Sequence, residues 1–147
     1  MPELAFEDFQ PGRVFDLGDM IADRQEMVEF ARRYDPQPFH VDEEAARHSV
    51  YGGLCASGWF TVCLWMRVFV DEVLSRSTSQ GSPGGSGFTW PRPMFPGDVV
   101  QARAEVVGTR ESVSRPGLGL VEIRAQMLRD EDVLFQSQFT GMFLKRA

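Results

Sequence analysis

The chain has 147 residues, of which 43% are hydrophobic and 24% charged, a composition typical of a globular protein. A single hydrophobic core typically forms within about 100–200 residues, so we predict one domain over residues 1–147. The formal net charge of −6 argues against nucleic acid or an anionic membrane as a partner, because clustered Lys and Arg bind both polyanions.

The cysteines and the N-terminus bear on compartment and metal content. Cys55 and Cys63 are about 12 Å apart if they share a helix, at roughly 1.5 Å rise per residue, which is too far for a disulfide bond. With no CxxC pair and no Cys/His cluster, we predict neither a metal site nor a cofactor. The segment Met1–Asp8 carries acids where a signal peptide would carry basic residues. These features favour a cytoplasmic protein.

The N-terminal part of the chain is predicted to form a strand and then a helix. Val14–Leu17 follows a turn-forming Pro-Gly pair and fits a short strand. Asp23 is a favourable N-cap, and apolar residues recur after it at helical spacing. The helix should end near Tyr34, because Pro36 disfavours the α conformation in the residue before it.

The segment from Asp35 to His40 contains two prolines. Pro36 and Pro38 lack amide donors and should hold this segment extended, as a stiff arm and not a helix. Residues 42–47 begin with acids and end with a base, which matches the helix dipole and predicts a short helical turn. We expect His48, at the end of this turn, to be solvated or structural.

A long apolar helix is predicted over Ser57–Leu74. Its apolar side chains surround nearly the whole helix, which is typical of a core helix buried on several sides. Ser57 fits the N-cap position. Arg67 interrupts the apolar run and Asp71 and Glu72 close it, so the segment does not fit a membrane span.

The C-terminal half is predicted to form a sheet. Ser75–Gly87 is rich in Ser and Gly and is predicted to be a mobile surface loop. Three segments of alternating hydrophobicity follow at residues 100–106, 121–127 and 133–143, as expected for antiparallel strands. We therefore predict an α+β fold with a curved antiparallel β-sheet wrapped around the long central helix. Its exposed strand edge and leftover apolar surface favour a homodimer or a dimer of dimers.

Asp35 and His40 are the candidate catalytic residues. A carboxylate and an imidazole that converge on one water can divide acid and base roles near neutral pH, because their ordinary pKa values are about 3.9 and 6.5. The same residues also fit a structural role, since Asp before Pro is common in turns and a single His often only packs.

The run from Tyr34 to Ala46 is similar to the hydratase motif of the MaoC-like and R-specific enoyl-CoA hydratase family. The matching residues, in order, are Asp35, Gln37, Pro38, Phe39 and His40, with Ala46 at the small-residue position. Gln37 stands where the family usually has Asn, and Tyr34 stands where a Gly commonly precedes the Asp. Ala56–Trp59 resembles the family's opening of the central helix, and Trp90–Asp98 resembles its strand entry, which ends in a Gly-Asp turn.

This resemblance implies a hot-dog fold, a dimer, and an acyl thioester of coenzyme A or of a carrier protein as the substrate. It implies that Asp35 and His40 hold a water that attacks the β-carbon of an enoyl thioester, and return a proton to the α-carbon. The Gly58 amide would hold the thioester oxygen, since free amides at a helix N-terminus attract negative charge. Gln37 and Ser57 are candidate substrate-binding residues, although Ser57 also fits a helix N-cap and Gly58 also fits close helix packing.

Two other functions remain open from the sequence. A hot-dog thioesterase would use the same scaffold, but such enzymes often carry an acid on the central helix near the thioester, and Ser57–Val70 contains none. A non-catalytic acyl-binding subunit is compatible with the departures at Gln37 and Tyr34. We expect an enoyl-thioester hydratase or 3-hydroxyacyl dehydratase.

Overall fold

The computed structural model describes residues 2–147, which form a five-stranded antiparallel sheet and one long helix packed against it. The helices are α1 (Arg24–Tyr34), α2 (Pro38–Val41), α3 (Glu43–Arg47) and α4 (Gly58–Glu72). The strands are β1 (Val14–Ile21), β2 (Gly84–Thr89), β3 (Val99–Glu111), β4 (Leu118–Arg129) and β5 (Asp132–Leu144). Their order in the sheet is β1-β3-β4-β5-β2, so β1 and β2 are the edge strands.

The core lies between α4 and one face of the sheet. Side chains of β3 and β4 alternate between buried and half-buried, as the period of a strand with one covered face requires. Trp65 and Phe69 of α4 are buried in the same hydrophobic cluster as the small residues Ala102 and Ala125 of the sheet. The indole Nε1 of Trp65 also donates to the carbonyl oxygen of Arg103, at 3.0 Å. The predicted central helix against an antiparallel sheet is therefore confirmed.

The other side of α4 faces outward. Trp59, Met66 and Val70 keep 52%, 42% and 36% of their surface exposed, because the single sheet covers only one side of the helix. The prediction that α4 is buried on several sides is therefore wrong for one chain alone. Within residues 2–147, no helix is both long enough and apolar enough to cross a membrane.

The glycine-rich stretch that was predicted to be a loop contains a strand. Gly84–Thr89 forms β2 and pairs antiparallel with β5. A Cβ at Gly85 would lie 2.7 Å from both the carbonyl oxygen of Gln138 and the Cβ of Phe139, so glycine permits the close backbone approach. Strand propensity fails here because glycine is a poor strand former on average.

The Asp35–His40 segment is only partly extended. Asp35 and Gln37 have non-helical backbone angles, but Pro38 begins the one-turn helix α2, which carries His40. Proline is favourable at the first helical position, where its missing N–H would have no helical acceptor and its φ is already suitable. The prediction of a non-helical arm up to His40 is therefore wrong. The predicted end of α1 at Tyr34 and the Asp23 N-cap are confirmed, as is the helical turn α3.

Candidate active site

A cavity of about 360 Å³ opens where α2, the N-terminus of α4 and the segment before β3 meet. Six of its lining residues supply polar groups or determine the shape of the site: Asp35, Gln37, His40, Gly58, Thr61 and Trp90. The cavity therefore brings together four of the five candidate site residues from the sequence. Ser57, the fifth, is buried and is not part of the cavity lining, but its hydroxyl donates to Asp35.

His40 is held in one orientation by the chain segment before α4. Its ring is 7% exposed, and its Nδ1 lies 2.8 Å from the carbonyl oxygen of Cys55. A carbonyl oxygen only accepts, so Nδ1 must carry a proton, and the neutral ring keeps its lone pair on Nε2. Nε2 lies 3.5 Å from Oδ2 of Asp35. The free basic nitrogen of His40 therefore faces the carboxylate.

Asp35 accepts two side-chain hydrogen bonds. Gln37 Nε2 donates to its Oδ1 at 2.8 Å, and Ser57 Oγ donates to its Oδ2 at 2.8 Å. Partial burial raises the pKa of Asp35, but these two hydrogen bonds and the positive charge of His40 together lower it by more. The net pKa lies below the ordinary 3.8. Asp35 is therefore an anion at neutral pH, and it acts there as a hydrogen-bond acceptor.

Asp35 and His40 together form a site for a hydrogen-bond donor. When His40 is neutral, neither Oδ2 nor Nε2 carries a proton, so neither group can donate to the other across the 3.5 Å between them. A water molecule with two O–H groups satisfies both acceptors at once. The arrangement can therefore bind a water and take a proton from it.

The N-terminus of α4 contributes a free amide. Gly58 is the first helical residue, and its N–H has no hydrogen-bond partner within residues 2–147. The Ser57 hydroxyl caps the helix by accepting from the amide of Trp59 at 3.3 Å, as predicted, and gives its own proton to Asp35. Ser57 therefore orients the carboxylate, and Gly58, which lines the cavity, offers a free donor.

Gly58 is also in close contact with an aromatic ring. Trp90 Nε1 donates to the Gly58 carbonyl oxygen at 2.9 Å, and a Cβ on Gly58 would lie 2.6 Å from the Trp90 ring. We expect Gly58→Ala to displace this ring and to destabilise the fold by about 1–3 kcal/mol, measured by urea unfolding. Gly53→Ala is the matched control, because a Cβ there meets nothing within 4 Å. Equal stability of the two variants would contradict this packing role.

Cys55 lines the cavity but its thiol is poorly reactive. Burial raises the pKa of the Cys55 thiol to about 11, so little thiolate forms at neutral pH. Cys63 is exposed on α4. We expect iodoacetamide to alkylate Cys63 in the folded protein well before Cys55, and both equally after unfolding, as measured by mass spectrometry. Equally fast alkylation of both thiols in the folded protein would contradict the burial of Cys55.

Three contributors to the site were not found from the sequence. The Cys55 carbonyl, which orients His40, is a backbone group and leaves no sequence signal. The sequence placed Trp90 only at a strand entry and Thr61 only within the apolar helix. A hydroxyl in such a helix was a signal that could have identified Thr61.

His48 lies outside the cavity, where it is exposed and its Nε2 is 3.2 Å from Glu44. Within residues 2–147, no group of three or more His, Cys, Asp or Glu side chains could hold a metal ion.

The chain is similar to known proteins over nearly its whole length. The model of the family described as "MaoC like domain" matches residues 8–125. A curated relative, "Uncharacterized protein YdeM" of Bacillus subtilis (strain 168), is 24% identical over 143 residues, which are 97% of this chain and 100% of that protein.

Two solved structures extend the comparison. The MaoC-like dehydratase from Rhodospirillum rubrum is 34% identical, with a TM-score of 0.86 over 98% of this chain and 99% of that one. R-hydratase PhaJ1 from Pseudomonas aeruginosa is 15% identical, with a TM-score of 0.74 over 97% of this chain and 87% of that one. A third structure, RV0216 from Mycobacterium tuberculosis, has a double hot-dog fold and matches at 20% identity with a TM-score of 0.73, over 97% of this chain and 44% of that one. The predicted hot-dog fold is therefore confirmed.

Proposed function

Since the chain belongs to the MaoC-like domain family, we propose that it catalyses the reversible addition of water to the double bond of an enoyl thioester. The observation that carries this proposal is the pair of acceptors, Asp35 Oδ2 and His40 Nε2, which lie 3.5 Å apart at one cavity. A pair of this kind suits a reaction whose co-substrate is water. The protein from Rhodospirillum rubrum that is 34% identical is described as a dehydratase, which supports the same chemistry.

In the hydration direction, the water donates its two hydrogens to Asp35 and His40 and turns its oxygen lone pair toward the β-carbon. His40 Nε2 takes one proton as the new carbon–oxygen bond forms, because Asp35, with its lowered pKa, is the weaker base. The electron pair of the double bond moves toward the thioester carbonyl and gives an enolate. The imidazolium then returns its proton to the α-carbon, which completes the addition of one water.

The developing negative charge on the thioester oxygen is stabilised by the free N–H of Gly58. An amide at a helix N-terminus carries part of the positive end of the helix dipole, and a fixed donor of this kind typically contributes about 10²–10³-fold to the rate. The charge of Asp35 stabilises the His40 imidazolium while it holds the proton. Gln37 and Ser57 support the reaction indirectly by fixing the two oxygens of Asp35.

The substrate in this proposal is a thioester of coenzyme A or of an acyl carrier protein, in a cytoplasmic setting, and the reaction uses no metal or other cofactor. The functional unit is a homodimer or a dimer of dimers. The exposed apolar side of α4, with Trp59 and Met66, lies beside the exposed edge strand β2, and both would be covered by a second copy of the chain. The molar mass in solution distinguishes a dimer from a single chain of 16.6 kDa.

The direct test follows the ultraviolet absorbance of a short and a long enoyl-CoA with the purified protein. Hydration removes the conjugated double bond and should lower the absorbance at a rate proportional to enzyme concentration. Release of free thiol with the double bond retained would instead identify a thioesterase. Tight binding of the enoyl-CoA without either change would identify a non-catalytic acyl-binding protein.

A further inference from the structure

Thr61 of α4 lines the same cavity as Asp35 and His40, and no step of the proposed mechanism uses it. Its side chain is buried, at 3% exposure. Within residues 2–147 its hydroxyl forms no hydrogen bond, unlike the other buried polar side chains, which are His40, Ser57, Thr78 and Ser137. Buried polar groups almost always have partners. The Thr61 oxygen is not itself fully enclosed, so it is open to the cavity that the residue lines, where a ligand atom can complete it.

Thr61 lies on the same side of α4 as the catalytic groups. It follows Gly58 by three residues and Ser57 by four, and these are the spacings that place helix residues on one face. The Thr61 amide donates to the Ser57 carbonyl oxygen at 3.2 Å, so this turn is helical. Thr61 therefore lies one turn along α4 from Ser57, the residue that holds Asp35, and Thr61, Asp35 and His40 line one cavity.

The position of Thr61 relative to Gly58 indicates which ligand atom it meets. Three residues advance about 4.5 Å along a helix, so Thr61 lies about that far along α4 from the amide proposed to hold the thioester oxygen, and both residues line the cavity. In a 3-hydroxyacyl thioester the β-oxygen is four bonds from that carbonyl oxygen, a separation of the same order. The β-carbon must also face Asp35 and His40, which is the side of α4 that Thr61 occupies.

We propose that the Thr61 hydroxyl donates a hydrogen bond to the β-oxygen of the 3-hydroxyacyl thioester, the oxygen that enters or leaves as water. This inference rests on the proposed function. In dehydration, His40 removes the α-proton, the β carbon–oxygen bond breaks, and the departing oxygen takes that proton from His40 and leaves as water. Thr61 keeps its own proton throughout and holds the β-oxygen while that proton arrives.

Thr61→Val should raise KM for the 3-hydroxyacyl thioester but not for the enoyl thioester, because an enoyl thioester has no β-oxygen. With the 3-hydroxybutyryl-CoA enantiomer that the wild type dehydrates, KM should rise about 3- to 10-fold, the range expected for one neutral hydrogen bond. With crotonyl-CoA, KM should stay unchanged and kcat should fall by the same factor. The equilibrium constant of the reaction is fixed, so kcat/KM must fall equally in both directions.

Thr61→Ser keeps the hydroxyl and should restore both kcat and KM to within about 2- to 3-fold of wild type. If Thr61→Val does not fold, Thr61→Ala removes the same donor and should give the same split. A rise of KM for both thioesters would assign Thr61 to an atom that they share and would overturn the proposal. Unchanged kinetics of the folded Val or Ala variant would overturn it as well. Wild-type protein without hydratase activity would overturn the proposed function itself, and this inference with it.

Discussion

Replacing His40 by alanine should lower kcat/KM for enoyl-thioester hydration by about 10²–10⁴-fold, the usual contribution of a positioned acid–base group. The variant loses the ring nitrogen that lies 3.5 Å from Asp35 Oδ2 at this cavity. Initial rates from the loss of enoyl absorbance measure the effect. Circular dichroism should show that the variant is folded, so that the lost rate can be assigned to the missing ring.

His48, the other histidine of the chain, provides a matched control for His40. His48 is exposed, its Nε2 lies 3.2 Å from Glu44 Oε1, and it is not part of the cavity lining. His48→Ala should keep kcat/KM within about 2-fold of wild type, as most surface substitutions cause little change. Equal loss of activity in both variants, or no loss in either, would be incompatible with His40 as the base.

Replacing Asp35 by asparagine should also lower kcat by about 10²–10⁴-fold, with little change in KM. The amide keeps the shape of the carboxylate, but it removes the negative charge beside His40 and offers one acceptor oxygen instead of two. Asp71→Asn is the matched control, since Asp71 lies at the far end of α4 and pairs only with exposed Arg67. An Asp35→Asn variant with wild-type kcat would assign a non-catalytic role to the carboxylate.

The lowered pKa of Asp35 also gives a pH dependence with a defined sign. A carboxylate whose pKa is lower in the folded than in the unfolded chain stabilises the fold above the ordinary value of 3.8. That contribution is lost as the pH falls through the lowered pKa. Below 3.8, wild type should therefore lose more unfolding free energy than Asp35→Asn as the pH falls.

Much of the fold followed from hydrophobic periodicity. Alternation over β3, β4 and β5 and the apolar run of α4 identified the elements that form the core, because burial on one face or one side imposes those periods. The glycine-rich composition of β2 predicted a loop, but this segment is a strand whose close approach to a neighbouring backbone requires glycine. The two prolines near His40 predicted an extended arm, but Pro38 begins a helix.

The candidate site was predictable only in part. Asp35, Gln37 and His40 lie within six residues, so their sequence motif identified them. The Cys55 carbonyl acts on His40 from fifteen residues away, and Ser57 acts on Asp35 from twenty-two. Such contacts depend on how α2 and α4 pack, which no local pattern encodes. Only the three-dimensional structure therefore shows that the basic nitrogen of His40, Nε2, faces Asp35.

The most direct test of water addition at the Asp35–His40 pair is the reaction of crotonyl-CoA in oxygen-18 water, followed by mass spectrometry of the product. Hydration predicts an intact 3-hydroxyacyl thioester that carries the label on its β-carbon, with the label absent when His40→Ala is used at the same concentration and time. Label found instead in the carboxylate of a released free acid, or equal labelling by wild type and His40→Ala, would contradict it.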